Sequence, residues 1–244
     1  MKSSVCLICY KPNTIWFEFL SNFKNYDVYV VIDDNDTDYT EEYKKYENIK
    51  IIQIPDNECV TNGFINMCYL TIPKNVTGWD KATYYFSTIN TVYDNVWMIE
   101  DDIFFYNEQT LINIDSQYVD ADLLTTDCIN TEDIDEYGNK WFWRNSIDAK
   151  FGPPYYKCLC CMIRVSSKLL LKINNYANTY NSLFFLEALF PSLCRKDNMI
   201  HYTPNEFKNI RWRDCNINNI NKLNLSHPIK NMNEHIEIRN VLEM

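Results

Sequence analysis

The segment from Val96 to Phe105 carries three consecutive carboxylates, Glu100, Asp101 and Asp102, between two apolar stretches. On an extended strand alternate side chains share a face. Glu100 and Asp102 are therefore expected on one side and Asp101 on the other, with Trp97 and Ile99 anchoring the face opposite the pair. Two carboxylates presented together suit a hard divalent cation such as Mg2+ or Mn2+. An ion held there can bridge the protein to a diphosphate and stabilise negative charge developing on a leaving group. Taken alone, an acidic turn serves equally well to solvate a strand end, so the other polar groups decide how far this reading goes.

Several short segments offer such groups. Asp33 and Asp34 end the apolar run that starts at Val28, Asp80-Lys81-Ala82 opens an amphipathic stretch, and His227-Pro228-Ile229-Lys230 lies near the C-terminus. Glu187 is the only charged residue between Leu183 and Phe190. Burial would raise its pKa toward that of a general base, whereas pairing with Arg195 or Lys196 would make it an ordinary helix-face acid. Asp148 and Asp127 are the alternative bases. Trp141, Phe142, Trp143 and Arg144, followed by Pro153, Pro154, Tyr155 and Tyr156, form an aromatic region that either stacks on a sugar or fills core. Arg211-Trp212-Arg213 either binds an anionic leaving group or lies on the surface. An EF-hand reading of Asp34, Asp36 and Asp38 fails, because Tyr39 stands where the turn needs glycine and Lys45 where the loop needs Glu. The four glycines, Gly63, Gly78, Gly138 and Gly152, are too scattered to form a phosphate-binding loop.

The whole chain bounds these readings. Its 244 residues, 46% hydrophobic and 15% aromatic, suffice for one large α/β core and exclude a disordered chain. A net charge of -10 without clustered Lys and Arg argues against a nucleic-acid binder and means that an anionic ligand needs a cation's help. The 31 Asn against 4 Gly point to an AT-rich gene, as in a large DNA virus. Val5 to Tyr10 is too short for a signal peptide and no run reaches membrane-spanning length, so the expected location is cytoplasmic, host cytoplasm if viral. The cysteines are then expected to stay reduced, and the sequons at Asn75 and Asn224 to be chance. Cys6 with Cys9, and Cys158 with Cys160 and Cys161, sit in apolar runs read as strands. Residues three apart on a strand face opposite ways, so buried thiols are expected instead of zinc ligands.

Alternation of β-rich runs with amphipathic stretches predicts βαβ units and a three-layer sandwich. Strands are expected at Val5 to Tyr10, Val28 to Asp33, Ile49 to Ile54, Val96 to Glu100, Asp122 to Thr126 and Cys158 to Val165. Helices are expected from Asn13 or Thr14, near Thr40 to Tyr46, twice between Asn62 and Asn95 with the second from Trp79 to Thr91, and at Glu108 to Tyr118. Further helices are read after a Ser166 or Ser167 cap to Tyr176, from Leu183 to Cys194 with an interruption at Pro191, and in the tail Asn231 to Met244. Asp127 to Lys140 reads as loop.

An apolar strand with Trp97, then Glu100-Asp101-Asp102, then Ile103-Phe104-Phe105, resembles the DXD region of GT-A glycosyltransferases, with Glu100 in place of the usual first Asp. The resemblance extends over most of residues 1–230 as an order of elements. It implies one domain over 1–244, with a nucleotide-sugar donor half at 1–126, an acceptor half at 127–230 and a tail at 231–244, folded as an α/β/α sandwich around a Rossmann-like, mixed but mainly parallel sheet. It also implies Mn2+ or Mg2+ held by Glu100, Asp102 and His227, with donor contacts from Asp33, Asp34, Lys81, Asp101 and Lys230. The segment around Glu187 resembles the helix that carries the base in inverting members, leaving Glu187 or Asp148 as the catalytic acid-base group. The implied activity is transfer of a sugar from a nucleotide-diphosphate sugar, UDP-sugar favoured, to a glycan or other hydroxyl. A sugar-phosphate nucleotidyltransferase, which usually opens with a Gly-rich loop, and a non-catalytic sugar-binding or scaffold protein of the same fold are the rivals.

Overall fold

Apolar runs without polar interruption become strands buried on both faces, which is what a sheet covered by helices on each side requires. The computed structural model describes residues 2–244. The chain opens with β1 (Ser3–Cys9), α1 (Thr14–Leu20), β2 (Asp27–Ile32), α2 (Thr40–Tyr43), β3 (Ile49–Ile52) and α3 (Asp56–Thr61). It continues through α4 (Gly78–Tyr84), β4 (Asn95–Glu100), α5 (Glu108–Gln117) and β5 (Leu123–Leu124) to a small hairpin of β6 (Ile129–Asn130) and β7 (Tyr156–Lys157). Next come β8 (Met162–Ser166), α6 (Ser167–Tyr180), α7 (Leu186–Lys196) and β9 (His201–Tyr202). The pair β10 (Asn209–Ile210) and β11 (Ser226–His227) precedes the terminal α8 (Met232–Glu243).

Seven strands form one sheet in the order β3-β2-β1-β4-β8-β5-β9. All neighbours are parallel except β8, which runs antiparallel to both β4 and β5. Strand alternation sorts the core into two layers. Cys6, Ile8, Val96 and Met98 pack with residues of α4, α6 and α7, whereas Val5, Leu7, Cys9, Trp97 and Ile99 pack with residues of α1, α2 and α5. The architecture is thus the three-layer α/β/α sandwich that the alternating pattern predicts.

Two devices hold helices against the central strands. Arg164 of β8 is fully buried and reaches Asp115 of α5 at 2.8 Å, and Asp115 also accepts from Trp97 Nε1 at 3.2 Å and from the Tyr26 hydroxyl at 2.7 Å. Removing one partner of such a buried pair leaves an uncompensated charge and costs about 3–5 kcal/mol. Gly78 starts α4 against β1, where a Cβ would come within 2.7 Å of Ile8 Cγ2, so the close approach admits only glycine.

The structure departs from expectation at several boundaries. No helix forms between Asn62 and Thr77, and the helix expected from Trp79 to Thr91 is α4 followed by a π-helical turn, Tyr85–Ile89. The strand read from Cys158 begins only at Met162, because Cys158 N donates to Glu187 O at 2.9 Å and Leu159 N to Thr126 Oγ1 at 2.8 Å instead of to a neighbouring strand. Pro191 does not interrupt α7, which begins three residues later than Leu183 and runs past the proline to Lys196. Asp122 to Thr126 contributes only two paired residues, and β9 beside it has no counterpart in the sequence reading. Cys6, Cys9, Cys158, Cys160 and Cys161 are all buried and all ten cysteines are free, in keeping with the expected thiols. Among the described residues no helix is long and apolar enough to cross a membrane.

Candidate active site

Open α/β sheets bind ligands outside the carboxyl ends of their strands, where strand order reverses. Here the reversal lies at β1, whose neighbours are β2 on one side and β4 on the other. A cleft of about 410 Å³ opens there, lined by Tyr10 beyond β1, Asp33 beyond β2, and Glu100, Asp101 and Asp102 at the end of β4.

Glu100 shares the face of Val96 and Met98, and its Oε1 accepts from the indole of Trp79 at 2.7 Å. The strand ends at Glu100, so alternation stops there and the next two residues form a turn closed by Ile103 N donating to Glu100 O at 3.2 Å. Asp101 is consequently not turned away, as strict alternation would have it, and lines the same cleft as Glu100 and Asp102. Trp16 Nε1 holds the Asp101 carbonyl at 2.7 Å, and Ile229 N holds that of Asp102 at 2.8 Å. Burial, reinforced by the Asp102 charge, pushes Glu100 up to about 7 and Asp101 up to about 6.

His227 arrives from the far end of the chain. Ser226 pairs with Phe104 through reciprocal bonds of 2.8 and 2.9 Å, which brings β11 alongside the acidic turn. The buried ring places Nδ1 2.5 Å from the carbonyl of Arg211 and Nε2 3.2 Å from Asp102 Oδ1. A carbonyl only accepts, so Nδ1 carries the proton and Nε2 is the nitrogen facing the carboxylate. Burial alone would lower the His227 pKa, but hydrogen bonding to Asp102 and its charge raise it overall. Two arrangements relieve this contact: an imidazolium paired with Asp102, or a cation between the two. One ligand atom each of Glu100, Cys161 and His227 all lie within 4.8 Å of one another, a trio that Asp102 borders through His227 without belonging to it. Carboxylate, imidazole and a nearby thiol fit a divalent cation.

Asp33 and Lys81 have a different arrangement. The Lys81 ammonium is fully buried and meets Asp33 Oδ1 and Asp56 Oδ1, each at 2.9 Å, together with Asn35 Oδ1 at 3.0 Å. With its contacts filled, Lys81 positions Asp33 and does not itself face a ligand. Asp34 is buried and spends both carboxylate oxygens on Asp36 N and the Tyr39 hydroxyl. Lys230 is exposed and outside the cleft, and Asp148 is exposed, paired with Lys150 at 2.7 Å, and lines neither this cleft nor its neighbour.

That neighbour is a second pocket of about 690 Å³, lined by Trp141, Phe142, Trp143, Asp127, Lys157, Arg211 and Trp212 among others. Phe142 is 77% and Trp212 57% exposed, so their faces are available to a ligand. Glu187 lines both cavities, as do Leu159 and Trp212. Glu187 sits in the first turn of α7, and burial pushes its carboxyl up to about 7, with Lys157 opposing and Glu100 adding to the rise. Trp79, Tyr10 and Cys161 were not anticipated as site residues. The adjacency of Cys161 to Glu100 depends on the antiparallel pairing of β4 with β8, which no local pattern discloses.

No family model matches the chain, and no curated protein matches it. Among solved structures it is similar to 4-diphosphocytidyl-2C-methyl-D-erythritol synthase from Anaerococcus prevotii, at 13% identity and a TM-score of 0.50, covering 100% of this chain and 97% of that one. It is also similar to the galactosyltransferase LgtC, solved with donor and acceptor sugar analogues, at 11% identity and a TM-score of 0.52, covering 99% and 96%. The fold is GT-A-like. At such identities the likeness is one of architecture, and the chemistry has to be argued from the cleft.

Proposed function

We propose that the protein is a metal-dependent glycosyltransferase that moves a sugar, with inversion, from a nucleotide-diphosphate sugar, UDP-sugar favoured, to a glycan or other hydroxyl acceptor. The carrying observation is Glu187, a carboxyl with a raised pKa in the wall shared by an acidic cleft and an aromatic pocket. Residues 1–126 would supply most of the donor half and 127–230 the acceptor half, although Cys161, Glu187 and Trp212 from the second half also line the donor cleft. In the cytoplasm, where we place the protein, its ten free cysteines stay reduced.

Tyr10, 59% exposed beside Asp33, offers a ring face to a nucleobase, and Asp33 an acceptor for nucleoside donors. Glu100, Asp102 and His227 would hold a divalent ion, which would supply Lewis-acid stabilisation of the diphosphate leaving group. Asp101 lines the same cleft and is left to meet the sugar or a ligand water. Glu187, ionised, takes the proton of the acceptor hydroxyl as the acceptor oxygen bonds to the sugar carbon. The bond from that carbon to the diphosphate breaks, and the diphosphate leaves with the electron pair. Exposed aromatic faces in the second pocket exclude water and orient the acceptor.

The connection between β1 and α1, Tyr10 to Asn13, contains no glycine, which weighs against a nucleotidyltransferase with a Gly-rich loop. Calorimetry with UDP-, GDP- and TDP-sugars, with and without Mn2+, tests the reading: binding of one donor strengthened by Mn2+ is expected, and no nucleotide binding under any condition overturns it. If wild type and Asp102→Ala both bind glycans yet neither turns over a donor, the scaffold reading takes its place.

A further inference from the structure

We infer that Cys161 is a ligand to the cation of the acidic turn, making the site a mixed oxygen, nitrogen and sulfur centre that prefers a borderline metal such as Zn2+ or Co2+ over Mg2+. The inference rests on the reading of this turn as a cation site and adds a ligand that a carboxylate motif does not imply.

Three observations carry it. Cys161 immediately precedes β8, and the antiparallel register that sets Ile99 against Met162 puts it opposite Glu100, whose backbone N–H donates to the Cys161 carbonyl at 2.9 Å. Its side chain is buried, lines the cleft, and has its sulfur in the same 4.8 Å group as Glu100 and His227. Ligands about 2.0–2.3 Å from one ion stand well beyond that distance from each other, so small side-chain rotations suffice to bring these three atoms around a common cation. The third is the His227 ring, fixed by the Arg211 carbonyl so that Nε2 faces inward, the orientation that a ligating imidazole takes. Among the described residues no other group of three potential ligands gathers in this way.

Hard carboxylates alone suit Mg2+, whereas thiolate and imidazole shift preference toward softer ions. Binding would release the thiol proton to solvent, since the thiolate is the ligating form. Cys160, its neighbour, also borders the cleft but is not in the ligand group: its sulfur lies 3.2 Å from that of Cys158 and 3.5 Å from the Leu186 carbonyl.

The experiment is Co2+ titration of the full chain followed by absorption spectroscopy. Wild type and Cys160→Ser are expected to develop a sulfur-to-cobalt charge-transfer band, and Cys161→Ser to bind Co2+ without it. Competition calorimetry should give wild type at least tenfold preference for Zn2+ or Co2+ over Mg2+, reduced in Cys161→Ser. A readout on wild type alone guards against misfolding of the variant: Zn2+ should slow alkylation of Cys161, mapped by mass spectrometry, and leave that of Cys160 unchanged. Failure of Co2+ to bind, absence of the band in wild type, its persistence in Cys161→Ser, or unprotected Cys161 overturns the inference. Donor turnover without the band would sink this ligand and leave the glycosyltransferase reading standing. The band without any donor binding would do the reverse.

Discussion

The carboxyl ends of β2 and β4 lie on opposite sides of β1 and both present acids to one cleft, but they balance charge in different ways. Beyond β2, Asp33 meets two ammonium groups, Lys81 at 2.9 Å and Lys74 at 3.3 Å. Beyond β4, Glu100, Asp101 and Asp102 have one imidazole among them, in contact with Asp102, and burial pushes two of the three carboxyls up toward neutrality. The first end is complete within the protein and serves as a fixed acceptor. The second is short of positive charge and stays costly to ionise until a cation arrives. Acidic residues at equivalent places in a fold therefore carry different functions according to what the chain packs behind them.

The sharpest break of this contrast is Asp102→Ala, expected to lower donor turnover by about 10³-fold while Asp33-dependent nucleoside contacts remain, as measured by transfer kinetics beside nucleotide calorimetry. Glu187→Gln should cost about 10²-fold in transfer with donor affinity unchanged. Wild-type activity should rise with pH through about 7, as Glu187 gives up its proton, and the variant should lose that limb.

Lys81→Met attacks the complete end. It strands Asp33 and Asp56 without their buried partner and should destabilise the fold by about 3–5 kcal/mol in denaturant titration, with activity falling only as Asp33 loses its position.

For the incomplete end, linkage gives the sign of a pH effect. The folded-state pKa values of Glu100 and Asp101 lie above the ordinary carboxylate range. Their contribution to stability is therefore intact below that range and is lost as pH rises through about 6 and 7. In chelator, melting curves should show a loss on the order of 2 kcal/mol across that window, and a divalent cation should restore it. A flat profile in chelator would erase the contrast between the two ends. The smallest effect is expected from Trp212→Ala, about 1 kcal/mol of acceptor binding, read as a several-fold rise in acceptor KM with donor KM unchanged.

Sequence disclosed the central strands because residues such as Val28 to Ile32 are buried on both faces and need no partner to be recognised. It disclosed β5 only as a longer strand, and could not disclose β9, two residues that are a strand only because β5, itself paired to β8, offers them an edge. The acids of the cleft were legible by type and spacing. The partners of the polar groups were not: Lys81 reads as a donor contact until Asp56 and Asn35 are seen to occupy it, and Asp34 likewise until Tyr39 does the same. Glu187 was legible as a lone charge in an apolar run, but its place between two cavities follows from tertiary packing alone.

The reciprocal bonds between Phe104 and Ser226, with Ile229 donating to Asp102, stitch the acidic turn to the last part of the chain. A contact between segments so far apart in sequence carries a large loop-closure entropy and is made late on the folding route. An incompletely folded chain has its carboxylates but not His227 beside them. The cation is accordingly expected to slow unfolding of the finished molecule without accelerating refolding, so that loss of metal shortens the lifetime of the native state and leaves the speed of reaching it unchanged.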